Sequence, residues 1–255
     1  MSSHTYSAEF YQWTRNMSAR SAARVLPLLR DLKPASVLDV GSGVGSWLAA
    51  WRELGVQDVV GLDGAYVDTQ WLMIPPACFR PTDISAPFDL QRRFDLVQSL
   101  EVAEHIAPTQ ADAFVARLAA HGDLVLFAAA QPGQGGEHHV NEQTVDYWAA
   151  KFDRLGYAGY DAVRPRIQDD ALVAPWYRYN TVLFVKRERV DLVARVQALP
   201  SARPLSTPAT RYEPAVTRLR YAVLAPLPVA VISWISRVNS ALFSLMLRLR
   251  LKRLD

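Results

Sequence analysis

Cysteine is nearly missing from this chain of 255 residues, where Cys78 stands alone. A single thiol excludes a disulfide framework and any zinc site built on cysteines. The opening residues, MSSHTYSAEFYQW, lack the basic start and apolar run of a secretion signal, so a cytosolic protein is expected. There is no internal repeat. A helix that spans a membrane needs roughly 20 apolar residues. The stretch YAVLAPLPVAVISWI (221–235) offers only fifteen without a charge, and Pro226 and Pro228 break it near its start.

The apolar half of the composition suffices for one large domain with an appendage. Charge is divided unevenly. Residues 1–185 hold 15 basic and 21 acidic side chains, a net of −6, whereas Lys186 onward holds 13 basic and 4 acidic, a net of +9. An acidic globule therefore carries a basic tail.

Up to about residue 187 the pattern alternates between strand and helix. Apolar runs of strand length occur at SVLDV (36–40), DVVGLD (58–63), FDLVQS (94–99) and DLVLFAA (123–129), with helical stretches at Trp47–Leu54 and Thr109–Ala119. Strands apolar on both faces belong in a parallel sheet layered by helices, which makes the fold α/β. YAGYDAVRPRI and WYRYNTVLFVKR read as two last strands with no helix between them.

VLDVGSGVGSW (37–47) carries the most information. A strand runs into Gly41, Gly43 and Gly45, and a helix starts near Ser46. Such glycines serve positive φ and close backbone approach to a ligand, and the helix start turns unpaired N–H groups toward it. The spacing is G-x-G-x-G, not the G-x-G-x-x-G of dinucleotide binders. Asp39 would repel a pyrophosphate but suits a ligand bearing an ammonium or sulfonium. Asp63, twenty-two residues after Gly41, ends the second strand where a carboxylate accepts from ribose hydroxyls.

With these motifs the chain resembles the class I S-adenosylmethionine-dependent methyltransferases over about residues 15–187. VLDVGSGVG is similar to their first motif, VVGLD to their second strand, and FDLVQSLEVAEHI (94–106) to their fourth-strand motif. The resemblance implies a Rossmann-like, doubly wound, seven-stranded sheet with six parallel strands and the last antiparallel. It implies S-adenosyl-L-methionine as cofactor. In PTDIS (81–85) it implies that Asp83 accepts from the adenine amino group and Ile84 packs on the ring. Glu101 would touch cofactor or substrate. The nearest likeness is to bacterial enzymes acting on glycans, lipids or secondary metabolites, in which a loop of the type GGxxHVNEQ followed by YW comes after strand five. Here the text is GGEHHVNEQTVDYW.

That loop leaves the carboxyl edge of the sheet, where open α/β sheets bind ligands. A metal site needs three or four convergent ligands, and no second cluster of His or Asp at suitable spacing is evident, so no metal is expected. A neutral imidazole can take a proton from an acceptor hydroxyl near neutral pH. His139 aligns with the single histidine of the family loop and is the candidate base; a hydrogen bond to backbone is its alternative role. His138 is expected to point outward or to support the site from the substrate side. Asn141 either orients the ring or caps the next helix, with Glu142 in its first turn. His105, four residues after Glu101 and on the same face if the stretch is helical, is either a second base or a satisfied helix-start residue.

An amphipathic helix is expected over Ser18–Leu32, and ahead of it Tyr6, Phe10, Tyr11 and Trp13 form either a lid over the acceptor or plain packing. Trp176, Tyr177 and Tyr179 are candidates to line an acceptor pocket, since aromatic rings stack on sugar or aromatic faces. Pro200, Pro204, Pro208 and Pro214 mark a linker, giving a domain over 1–187, a linker over 188–218 and an apolar, basic helical tail over 219–255. The tail has three open fates: the inner surface of an anionic membrane, packing on the domain, or a homodimer contact. Nucleic acid is not an expected partner, because the tail's basic residues alternate with leucines. The expected activity is O-methylation of a small-molecule, glycan or lipid acceptor. A catalytically inactive partner-binding module at the membrane is the alternative, and a nicotinamide-dependent dehydrogenase or epimerase is disfavoured by Asp39 and the glycine spacing.

Overall fold

The computed structural model describes residues 8–228 with positions 231, 235 and 238, and side-chain surroundings from residue 16 onward. Tyr6, the side chains of Phe10, Tyr11 and Trp13, and most of the tail past 228 lie outside the described residues.

The described residues begin with helix α1 (Ala8–Val25), which tightens into a 3-10 segment over Leu26–Leu32. There follow β1 (Ser36–Val40), α2 (Ser46–Glu53), β2 (Asp58–Asp63), β3 (Phe79–Pro81) and β4 (Leu96–Leu100). Next come α3 (Ala111–His121), β5 (Leu124–Ala128), α4 (Val145–Arg154), β6 (Tyr157–Asp161), α5 (Arg164–Ile167) and α6 (Pro175–Asn180). The described elements end with β7 (Val182–Lys186), α7 (Val190–Gln197), β8 (Arg203–Pro204) and α8 (Ala215–Leu224).

The strands form one sheet in the order β3-β2-β1-β4-β5-β7-β6-β8. Strands β1 to β5 pair in parallel where they adjoin, and β7 runs antiparallel to both β5 and β6, so the first six strands point one way. This is the expected seven-stranded arrangement with one addition, the two-residue β8 set antiparallel on β6.

Period-two burial explains why the central runs are apolar throughout. Val37, Leu96, Leu124 and Leu126 face a core built with α1, α2 and the 3-10 segment. Leu38, Val40, Val97, Val125 and Phe127 face a second core built with α3 and α4.

Three expectations need correction. First, helices do separate the last two long strands: α5 and α6 occupy much of what read as strand, and Pro175 sits at the start of α6 where its missing N–H costs nothing. Second, residues 188–218 are no free linker. Val196 of α7 and Leu199 are buried in the core, β8 joins the sheet, and the buried Glu213 accepts from Gln131 Nε2 at 2.8 Å. The prolines mark turns in a strap that lies on the domain. Third, Glu142 and Asn141 do not start α4, because Thr144 is its cap, accepting from the N–H of Tyr147, and Asp146 supplies the acidic first turn.

Candidate active site

Strand order reverses between β1 and β4, and the loops after β1, β4 and β5 leave the same carboxyl edge there. The first of these is the glycine loop. Gly41, Gly43 and Gly45 all hold positive φ, at 87°, 53° and 80°. A Cβ on Gly41 would strike Val102 Cγ2 at 2.3 Å and one on Gly45 would strike Ile74 Cγ1 at 2.8 Å, so those two are required by packing as well. A Cβ on Gly43 would meet nothing within 4 Å. That position is the open side of a cradle, with room for a ligand against the backbone.

Asp63 ends β2 beneath this loop. Its Oδ2 accepts from the Gly43 N–H at 2.7 Å, and its Oδ1 accepts from the Gly64 N–H at 2.7 Å and from the Tyr66 hydroxyl. The carboxylate thus ties the glycine loop to the second strand and keeps acceptor capacity at its edge. Asp39 is buried on β1. Burial pushes its pKa up to about 7; the Gln98 amide opposes that shift and the Asp63 charge adds to it. Beyond β3, Asp83 is exposed and folds over Ser85, whose hydroxyl and N–H hold its carboxyl below the usual range, so it is an anionic acceptor at neutral pH. Ile84 beside it is half-buried.

The opposite half of the cleft holds the carboxylates and histidines. Glu101 follows β4 with φ 59°, a left-handed conformation uncommon outside glycine and concentrated at functional sites. Its carboxylate accepts from Asn180 Nδ2 at 2.9 Å and from Gln134 Nε2 at 2.8 Å. The stretch after it is a single 3-10 turn over Ala103–His105, not a helix that sets Glu101 and His105 on one face. Glu104 is 1% exposed and its Oε2 has no hydrogen-bond partner. Burial and the nearby Glu101 charge raise its pKa well above the carboxylate range. The exposed His105 places Nδ1 3.3 Å from the His138 carbonyl. Crowding by the protein and by His139 pushes its pKa down, which keeps it neutral and its exposed edge tempers the shift.

The loop after β5 is organised by Glu142. Its carboxylate accepts from the Gly133 N–H at 2.8 Å, the Gly135 N–H at 2.7 Å and His139 Nδ1 at 2.8 Å. His139 is therefore held by Glu142, not by Asn141. The buried Asn141 instead docks the loop, donating its N–H to the Glu104 carbonyl at 3.0 Å. His139 Nε2 points toward Glu104 Oε1, 3.9 Å away, and its ring meets that of His105 edge to face at 4.9 Å. His138 is exposed at φ 61°. The C-terminal half of α8 seals this loop: a Cβ on Gly133 would lie 2.2 Å from the Tyr221 carbonyl oxygen.

Of the other sequence candidates, Tyr177 is a core residue, its ring 4.9 Å from Trp47 and its hydroxyl 3.2 Å from Ser18 Oγ. The half-exposed Trp176 lies next to it. Sequence reasoning missed the roles of Glu142, Gln134 and Asn180. The HVNEQ text did contain Glu142, and its spacing of three from His139 was the available signal. Nothing local marks Gln134 or Asn180.

A methyltransferase-domain family model matches residues 13–166. Solved structures share the fold at low identity. The sugar N-methyltransferase KedS8 from Streptoalloteichus sp ATCC 53650 is 16% identical over 73% of this chain and 98% of its own, with a TM-score of 0.54. CalS10, an amino pentose methyltransferase from Micromonospora echinaspora, is 16% identical over 72% and 98%, at 0.51. An O-methyltransferase family protein from Burkholderia thailandensis is 14% identical over 70% and 58%, at 0.55. No curated protein matches the chain in sequence.

Fold and glycine cradle together define an enzyme of the Rossmann-like methyl-transfer class. The chain belongs to the methyltransferase-domain family, and its cofactor is S-adenosyl-L-methionine. The residues present fit that cofactor: an open-sided cradle at Gly43, a carboxylate with spare acceptor capacity at Asp63, and a buried Asp39 that suits a cationic group.

Proposed function

We propose that this methyltransferase acts on a hydroxyl oxygen of a glycan, glycolipid or secondary metabolite, and that His139 takes the hydroxyl proton. Asp63 and the N–H groups of the glycine loop would hold the ribose and methionine parts, Asp83 and Ile84 the adenine edge, and Asp39 the positive charge. S-adenosylmethionine supplies a methyl group activated on a sulfonium, so the chain's remaining task is to orient an oxygen and relieve it of a proton.

The observation that carries this reading is the His139–Glu142 pair. Glu142 accepts from two backbone N–H groups besides Nδ1, which fixes the carboxylate and, through it, the ring. With Nδ1–H donated to Glu142, Nε2 keeps its lone pair on the acceptor side. A hydroxyl needs such a base more than an amine does, which favours oxygen. The sugar and amino-sugar acceptors named for KedS8 and CalS10 support the acceptor class.

The test is His139→Ala, assayed by transfer of a labelled methyl group into sugars and extracted glycolipids. Affinity for S-adenosylhomocysteine should persist while turnover falls by roughly 10²–10⁴, the usual worth of a positioned base. Full activity in the variant would refute the role.

A second observation favours a cytosolic enzyme that meets the inner face of a membrane. Among the described residues no helix is long and apolar enough to cross one. Along α8, however, Val216, Leu219 and Val223 are 74%, 66% and 62% exposed, with Arg218 and Arg220 beside them. An apolar stripe with a basic fringe suits an anionic surface.

A further inference from the structure

We infer that Glu104, His105 and His139 form a binding site for one first-row divalent cation on the acceptor side of the cleft. The three residues come from two stretches, SLEVAEHI after β4 and the loop after β5, which the fold brings together. One ligand atom from each lies within 4.8 Å of the others, and among the described residues no other such group occurs.

The independent observation is Glu104. Its carboxylate is 1% exposed, and Oε2 has no hydrogen-bond partner. A buried, unpartnered carboxyl oxygen is costly, and it is tolerated where a ligand or ion completes it. The other oxygen, Oε1, stands 3.9 Å from His139 Nε2. That is too long for a hydrogen bond but near the separation of two donors on one ion. With metal–ligand distances of about 2.0–2.2 Å, two donors on one ion sit roughly 3.0–3.5 Å apart, so this pair needs to close by less than about 1 Å and the widest pair of the set by less than about 2 Å.

The surroundings also suit a metal. The ring nitrogen of His139 that faces away from Glu104 is bonded to the Glu142 carboxylate at 2.8 Å, the carboxylate–histidine arrangement that orients metal-binding imidazoles. His105 Nδ1 faces the His138 carbonyl, which leaves its Nε2 available. Two imidazoles with one carboxylate select the borderline metals from manganese to zinc over magnesium or calcium, and leave positions open for an oxygen ligand.

One nitrogen lone pair cannot serve a cation and a proton together. The direct base role of His139 therefore applies to the cation-free protein, and a bound cation would take over acidification of the acceptor hydroxyl. That consequence rests on the proposed function; the binding itself does not.

The experiment uses full-length protein stripped with a chelator and titrated with Co²⁺, followed by visible absorption and calorimetry. One equivalent should bind, with a visible band from imidazole and carboxylate ligation. Glu104→Gln, which keeps the side-chain shape, and His139→Ala should each weaken uptake by more than tenfold, and Glu142→Gln by about 10–100-fold. Glu137→Gln, in the same loop, should leave uptake unchanged. S-adenosylhomocysteine affinity, measured on every variant, reports that each is folded. Absence of stoichiometric uptake, or uptake indifferent to both Glu104→Gln and His139→Ala, overturns the cation site and leaves His139 as the base. Intact uptake in a parent protein that fails to bind S-adenosylhomocysteine would uphold the cation site and sink the cofactor assignment instead.

Discussion

Asp39→Asn should make the protein more stable at pH 8 and worse at its task. In an unfolded chain an aspartate titrates near 3.9, whereas burial on β1 pushes folded Asp39 up to about 7. Below about pH 3.9 both states are protonated and the residue costs nothing. Above that, the unfolded chain releases a proton that the folded protein retains, so stability falls by about 1.4 kcal/mol per pH unit until pH 7, then levels off. The accumulated cost over about three units is on the order of 4 kcal/mol. Asparagine cannot ionise and escapes most of it. Urea unfolding without ligand should find the variant about 2–4 kcal/mol more stable at pH 8, with the difference shrinking to about 1 kcal/mol or less at pH 4.5. Glu101 and Glu104, also raised by burial, contribute slopes of the same sign, but they do so in both proteins, so the difference isolates Asp39. The same charge should govern binding. A cationic cofactor prefers the carboxylate, so the parent's affinity for S-adenosylmethionine should be roughly tenfold weaker at pH 6 than at pH 8, since one unit below the pKa corresponds to one factor of ten. Asp39→Asn should bind weakly with no such slope. Equal stability at pH 8, or an unchanged slope in the variant, would refute the burial argument.

Asp63→Ala should weaken S-adenosylhomocysteine by about 1.5–3 kcal/mol, the range for a lost charge-assisted hydrogen bond, and calorimetry that finds parental affinity would place the ribose elsewhere. Gly43→Ala strains a backbone at φ 53° without striking any protein atom, so loss of cofactor affinity should exceed loss of thermal stability; the reverse order would remove the cradle from the binding site. Replacing Val216, Leu219 and Val223 together by Ser should abolish co-sedimentation with anionic vesicles while S-adenosylhomocysteine binding persists. Sedimentation that survives the change would exclude this face of α8 as the membrane contact.

The glycine-loop half of the cleft is legible in the sequence because its signals are local. Gly41, Gly43, Gly45 and Asp39 lie within seven residues, and Asp63 follows at the end of the next strand, so a strand–turn–helix reading places all of them. Continuous apolar runs likewise revealed β1, β2 and β5 to within a residue, since burial on both faces leaves no alternative. The three-residue β3 is too short to carry a period, and WYRYN reads as strand although the proline ahead of it starts α6; its aromatic residues suit either element. The proline-rich stretch misled for a related reason. Prolines report where a backbone turns, not whether its side chains are buried, and Val196, Leu199 and Glu213 are buried by contacts far away in sequence.

The half that holds the carboxylates and histidines depends on distance in a different way. Glu101 draws on Asn180, 79 positions later, and Gln134, 33 positions later, while Glu104 meets His139 across 35. No periodicity encodes such pairs. Their physical trace is an arrangement that would be unfavourable without function: a glutamate at φ 59°, a buried carboxyl oxygen with no partner, and a charged carboxylate spent on two glycine N–H groups and one imidazole. Strain and unsatisfied polarity of this kind are destabilising by kilocalories and persist where the surrounding fold imposes them for binding or catalysis. A run of eleven residues with two histidines and two carboxylates admits a base, a metal ligand or a turn. Only the packing of Glu104 behind His139 gives those side chains a common target.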